Sequence, residues 1–185
     1  GWIVGGWTRP YSHRTRGILL RTRDGGRSWT RLPNLRLPRL NAIHFVDPLH
    51  GWAVGENSTL YPSGIFLTQD GGTSWTMVVQ APSQPWLAGD FYDATAGLVI
   101  GAGGRVARVT PVKAESIGQP AWGTRRLNAI KLAGPDRAWL VGDGGLVAVS
   151  HDTGRNWHPP AGPLPLENPG QLDFRTIAVL GDQCW

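Results

Sequence analysis

The thirteen carboxylates, five histidines, three tyrosines and single cysteine are the side chains from which this chain of 185 residues could build a reactive centre. Three of the carboxylates stand at one place in a recurring octad. It reads TRDGGRSW at 22–29, TQDGGTSW at 68–75 and SHDTGRNW at 150–157. A catalytic acid is needed once per site, whereas a turn-forming acid is needed once per turn. Asp24, Asp70 and Asp152 are therefore expected to bond back to the backbone of their own hairpins, as short acceptor side chains do. Gly26, Gly72 and Gly154 are expected to take a backbone conformation that a Cβ disfavours. Trp29, Trp75 and Trp157 would open the next strand and cover the turn. One carboxylate per turn also falls short of the roughly six to eight oxygens that calcium takes.

The remaining candidates make weaker patterns. Asp47, Asp90, Asp93, Asp136 and Asp173 all fall near the exit of one recurring strand. Two of them about 5–9.5 Å apart across a cleft would suffice for a glycoside hydrolase, yet each also fits a strand-to-strand turn. Tyr11, Tyr61 and Tyr92 with Glu56, Glu115 and Glu167 are the only tyrosines and the only glutamates from which a sialidase could draw, and no arginine-bearing segment of the sialidase kind accompanies them. His44 and His50 flank a turn without the paired spacing of a metal site, so no metal is expected. GAGGR at 101–105 joins two strands with no helix following, which argues against a phosphate loop. There is no G-x-S-x-G elbow, and Cys184 alone forms no internal disulfide. The expectation is a chain without catalytic residues or cofactor.

Charge is the strongest remaining signal. Nine arginines, Arg9, Arg14, Arg16, Arg21, Arg23, Arg27, Arg31, Arg36 and Arg39, lie before residue 40 against one acid, Asp24. The first 39 residues thus carry +8 and the rest −3, within a total of +5. Such asymmetry suits an acidic partner: a protein surface or an anionic headgroup layer. Nucleic acid is not expected, because no recognition helix, RNA-binding strand motif or zinc spacing accompanies the charge. Arg9, Arg14, Arg16, Arg36 and Arg39 are the candidate partner-binding residues.

These side chains must be positioned by a repeat. LNAIHFVDPLHGWAVG at 40–55 returns as LNAIKLAGPDRAWLVG at 127–142, and a worn copy begins at Trp86. Trp2, Trp52, Leu98, Trp139 and Trp185 mark one register, spaced by 50, 46, 41 and 46 residues. A period in the forties signals a repeat array. Within each unit the segments LNAIHFVD, HGWAVG, GIFLTQD and SWTMVV are short, β-branched or aromatic, and bounded by turn formers. No sustained helical spacing appears. Four short antiparallel strands per unit predict an all-β fold, a β-propeller of four-stranded blades. The expected blades are 1–39, 40–80, 81–126 and 127–172, with the start of another at 173–185. The worn blade is expected to replace its octad turn with a longer connection, PVKAESIGQPAW at 111–122. In the second blade the insert ENSTLYPSG offers Glu56 and Tyr61 as exposed-loop binding candidates. Two arrangements of the ends fit: part of a larger wheel, which we favour, or a closed four-bladed ring in which 174–180 completes the sheet of residues 1–32.

The octad is the repeat of Asp-box (BNR) proteins, and FVDPLHGWAVGENS at 45–58 adds a more particular element. Together they resemble the Ycf48/HCF136-like family of photosystem II assembly factors over nearly the whole chain, although the third blade lacks the octad. The resemblance implies a non-enzymatic, seven-bladed wheel. It also implies an extracytoplasmic location (periplasm, thylakoid lumen or secreted) and an arginine-rich face that holds a membrane-protein client such as a photosystem II reaction-centre subunit. The expected partner is thus a protein, with peripheral membrane contact. The alternative function is a carbohydrate-active Asp-box propeller of the sialidase or glycoside hydrolase type.

Overall fold

The computed structural model describes residues 1–8, 10–11, 15–32, 36–117, 122–180 and 183–184. Its strands fall into antiparallel meanders that follow chain order. The first is β1 (Trp2–Thr8), β2 (Thr15–Arg21) and β3 (Thr30–Arg31). The second is β4 (Leu40–Phe45), β5 (Gly51–Gly55), β6 (Ile65–Thr68) and β7 (Thr76–Met77). The third is β8 (Trp86–Phe91), β9 (Gly97–Gly101), β10 (Arg105–Val109) and β11 (Ala114–Ser116). The fourth is β12 (Leu127–Leu132), β13 (Ala138–Gly142) and β14 (Val147–Ser150), with a bridge from Val149 to His158 at the outer position. Among the described residues the only helical pieces are 3₁₀ turns at Ala102–Gly104 and Pro169–Gln171.

The last pair, β15 (Val179–Leu180) and β16 (Gln183–Cys184), forms its own hairpin. β1 is the edge of its sheet, and β15 pairs with β16 rather than with β1. The closed ring considered above, in which 174–180 would complete the first sheet, is therefore not formed by the described residues.

Strands such as β5 and β9 are buried at every position, GWAVG and GLVIG, because both faces of each blade are covered by neighbours. A strand buried on both faces needs continuous apolar sequence rather than alternation. The inner strands β4, β8 and β12 each slip register after their first residue, at Leu40, Trp86 and Leu127. The bulge re-aims the extra residue towards the next blade. Asn41 Nδ2 donates to the Trp86 carbonyl at 2.7 Å, and Asn128 Nδ2 donates to the Phe174 carbonyl at 2.8 Å.

Between blades one aromatic contact recurs. Trp2 stacks on Phe45 of the second blade, centroids 4.6 Å apart and planes 8° off parallel. Trp52 stacks in the same way on Phe91 of the third, at 4.7 Å and 4°. Glycine makes room for each phenyl ring: a Cβ on Gly97 would stand 2.1 Å from Phe91 Cδ1, and one on Gly51 would stand 2.8 Å from the Phe45 ring. The octad glycines seat the other partner. A Cβ on Gly72 would lie 2.3 Å from Trp2 Cη2, and one on Gly154 would lie 2.8 Å from Leu98 Cδ2.

This geometry separates two kinds of octad glycine. Gly72→Ala adds a collision with Trp2 to the strain of its φ of +80°, so a loss of about 2–4 kcal/mol is expected. Gly25→Ala meets no atom within 4 Å at φ +74° and should cost only about 1 kcal/mol. Urea unfolding of the two variants checks this; equal losses would mean that the seat carries no weight.

Candidate functional site

The three octad carboxylates are bound into their own turns in nearly superimposable fashion. Asp24 Oδ1 accepts from Thr22 Oγ1 at 2.7 Å and from the Ser28 N–H at 2.9 Å, while Ser28 Oγ donates to Oδ2. Asp70 accepts from Thr68 Oγ1 at 2.8 Å, the Ser74 N–H at 2.9 Å and Ser74 Oγ at 2.6 Å. Asp152 accepts from Ser150 Oγ at 2.8 Å, the Asn156 N–H at 2.8 Å and Asn156 Nδ2 at 2.6 Å. Gly26, Gly72 and Gly154 all have positive φ. Their amides donate to the octad's first hydroxyl at 2.8–2.9 Å. Their carbonyls accept from the indole N–H of Trp29, Trp75 and Trp157 at 3.0–3.1 Å.

Donors on both carboxylate oxygens favour the charged form. The Ser28 hydroxyl, then its amide and Thr22, hold Asp24 well below the usual carboxylate range. The Asn156 amide leads the causes that bring Asp152 down to about 2. These acids are ionised acceptors at neutral pH and have no proton to give.

Two further aspartates are spent in turns. Asp47 Oδ1 accepts from the amides of Leu49 and His50 at 2.7 and 2.8 Å, and its Oδ2 meets His50 Nδ1 at 2.7 Å. Asp93 Oδ1 accepts from the Thr95 and Ala96 amides at 2.6 and 2.9 Å. Asp173 does not sit at a strand exit as its sequence position suggests. It precedes its strand and accepts from the Gly144 amide at 3.1 Å, with Arg175 Nη2 at 3.0 Å. Asp136 lies in the turn before β13, where its carbonyl accepts from the Thr153 amide.

Asp90 was not legible as a special position. It is buried at the fifth position of β8, the register of His44 in β4 and Lys131 in β12. Its Oδ1 lies 3.0 Å from His44 Nδ1 and 3.4 Å from Lys131 Nζ, and its Oδ2 accepts from the Leu132 amide at 2.9 Å. Burial pushes its acidity the other way, but the His44 bond, the Leu132 amide and the Lys131 charge together hold it below the ordinary value. The triad ties β4, β8 and β12 together at the fifth position of each strand. Among the described residues, no group of three or more His, Cys, Asp or Glu is placed to hold a metal.

The structure divides the arginines. Arg9 and Arg14 lie outside the described residues. Arg16, Arg36 and Arg39 come together at one end of the first blade, where Gly17 donates to the Leu37 carbonyl and the Arg39 amide to Thr15 Oγ1. Arg36 is exposed, and Arg39 reaches Thr8 Oγ1 at 3.2 Å and Glu56 at 3.9 Å. Arg21, Arg23 and Arg27 stand at the opposite end with the octad turn. There Arg21, Arg23 and Thr73 border a broad cleft of about 530 Å³ between the first two blades.

Two loop expectations change. Tyr61 is half-buried with its ring edge-on to Phe66 at 5.4 Å, and Glu56 faces Arg39, so the two candidate side chains pack down while residues 57–60 between them stand exposed. In the third blade the octad is replaced not by a longer connection but by a tight turn, in which the Thr110 amide donates to the Lys113 carbonyl at 2.8 Å. The longer connection follows β11.

No protein-family model matches this sequence, and no curated protein matches it. Among solved structures it is similar to the GH74 enzyme of Niastella koreensis, with TM-score 0.58 and 16% identity over 76% of this chain. That match spans 26% of the enzyme, about a quarter of its length. Its architecture settles the class. The chain is a β-propeller array. Similarity also extends to YCF48 bound to D1 peptide, at 17% identity over 92% of this chain and 70% of that one, TM-score 0.49. YCF48 from Cyanidioschyzon merolae matches at 18% identity over 92% and 71%, TM-score 0.45.

Because Asp152 is depressed on folding, its charge stabilises the fold above its unfolded value near 3.8, and that stability is lost as the pH falls through about 2. Asp152→Asn should therefore be less stable than the native chain at pH 6, with the gap closing by pH 2. Denaturant unfolding across this range tests it; parallel curves would show that the charge of Asp152 contributes nothing.

Proposed function

We propose that this chain is a non-catalytic binding scaffold that holds an acidic segment of a protein client against the arginine-rich end of its first blade. One observation carries the reading. Of the aspartates that could have formed a catalytic pair, Asp47 and Asp93 are engaged by donors of their own turns, Asp90 by His44, Lys131 and the Leu132 amide, and Asp173 by the Gly144 amide and Arg175, whereas Arg16, Arg36 and Arg39 gather at one end. Rigid sheets presenting charge on loops steer and orient an oppositely charged partner without chemistry.

The resemblance of FVDPLHGWAVGENS and the octads to the Ycf48/HCF136-like factors supports a finer version. On it the client is a membrane protein at an early stage of assembly, a photosystem II reaction-centre subunit or another extracytoplasmic polypeptide. YCF48 in complex with a D1 peptide illustrates the type of client meant. The fold shared with a GH74 enzyme supports the second reading, a carbohydrate-active propeller.

Affinity capture from native membranes, read by mass spectrometry, distinguishes them. The double variant Arg16→Glu/Arg36→Glu should recover the client about tenfold less well than the native chain. A control with the same change of charge, Arg125→Glu/Arg126→Glu, should recover it undiminished. Equal losses in both variants would reduce the effect to net charge. Cleavage of a polysaccharide by the native protein would move the carbohydrate-active reading to the front.

A further inference from the structure

The junction between the third and fourth blades departs from the other two. The position filled by Trp2 in β1 and Trp52 in β5 is Leu98 in β9, and the position filled by Phe45 in β4 and Phe91 in β8 is Leu132 in β12. The strand registers fix this equivalence, since Phe45 pairs with Gly51, Phe91 with Gly97 and Leu132 with Ala138. Ala138 is the reason for the change on the fourth blade. Its Cβ occupies the space that glycine leaves open beneath each phenyl ring, so a phenyl could not lie there. Leu98 still finds its octad seat against Gly154. The stacked pair of rings is absent.

A cleft of about 80 Å³ is found at this junction, bounded by Leu98, Leu132, Tyr92, Arg108, Lys113 and Thr153. The tight turn at 110–113 stands where an octad would otherwise rise. The cleft suits one side chain, being well below the roughly 300–1,000 Å³ of pockets that enclose a whole small molecule.

Arg108 supplies the second half of the argument. It pairs across the sheet with Leu98, as Arg21 pairs across the sheet with Trp2. In the first blade that register places the Arg21 guanidinium 5.5 Å from the Trp2 ring centre, a cation–π contact, while Nη1 donates to the Gly71 carbonyl at 3.1 Å. The third blade keeps the cation and lacks the ring.

We propose that this cleft is a receptor for a single aromatic side chain presented by a partner protein. The incoming ring would pack against Leu98 and Leu132 and lie beneath Arg108, re-creating from outside the ring, apolar platform and guanidinium that the first junction builds from its own residues. A planar ring with a negative face matches both the apolar walls and the positive charge, whereas an aliphatic side chain matches only the walls. Lys113 and Glu115, paired at the rim, would border the partner's backbone. The site lies at the octad end of the third junction, away from Arg16, Arg36 and Arg39. It rests on the scaffold reading only in taking a protein as the source of the ring.

The test uses N-acetyl-tryptophanamide and N-acetyl-leucinamide as isolated side-chain probes, followed by NMR of the leucine and valine methyls of the native protein. The tryptophan derivative is expected to bind with a Kd of about millimolar and to shift the Leu98, Leu132 and Val109 methyls. The leucine derivative should bind at least about fivefold more weakly, and Arg108→Gln should weaken the tryptophan derivative by a similar factor. Leu98→Trp, which places a ring in the cleft from within, should abolish binding while preserving or raising thermal stability. Should that variant fail to fold, the probe comparison and Arg108→Gln still decide. Absence of shifts at these methyls, equal affinity for the two probes, or unchanged affinity in Arg108→Gln would each overturn the proposal. None of these outcomes bears on client capture through Arg16 and Arg36, so the two readings fail separately.

Discussion

A twisted four-stranded sheet has two apolar faces, and here each is covered by the next blade through a side chain at one fixed register. Trp2 and Trp52 lie flat against Phe45 and Phe91. Offset ring stacks contribute roughly 0.5–1.5 kcal/mol beyond the area they bury, and each also fixes the angle between two sheets. Much of the local sequence serves these contacts. Gly51 and Gly97 are needed because a Cβ would enter the phenyl ring, and Gly72 because a Cβ would enter the indole. The octad is thus more than a turn. Its hydroxyls and carboxylate stiffen a hairpin whose glycine receives the preceding blade.

This requirement explains why so many of the aspartates are engaged within the fold. Asp24, Asp70 and Asp152 are consumed in holding the hairpins, and Asp47 and Asp93 in the turns that carry the strands past one another. Asp90 is different, since it joins His44 and Lys131 across three inner strands and is both buried and ionised. Breaking one partner of a buried charged group costs more than the group contributes net. The proposed function assigns the partner contact to the arginine set of the first blade.

Much of the fold was legible because it depends on short-range patterns. The strand lengths and the octad turns follow from which residues stand within about eight positions of one another, and the repeat period from the return of those short patterns along the chain. What depends on neighbouring blades was not legible. Nothing local marks Asp90 as the centre of a triad, because His44 lies 46 residues before it and Lys131 lies 41 after it. Asp173 was misplaced by its resemblance to turn aspartates, since the partner it accepts from, Gly144, belongs to the fourth blade. The third junction is the clearest case. The exchange of Trp for Leu98 reads in sequence as a worn repeat, and only beside Leu132, Ala138 and Arg108 does it become a cleft.

The claim at the centre of this account is that paired rings hold one blade to the next. A double-mutant cycle on Trp52→Leu and Phe91→Leu, measured by urea unfolding, tests it most directly. The account predicts a coupling of about 0.5–1.5 kcal/mol, with the double variant less damaged than the two single losses added together. Strict additivity would contradict it, showing that the two rings stabilise their blades by burial alone and that the stacked register does not join them.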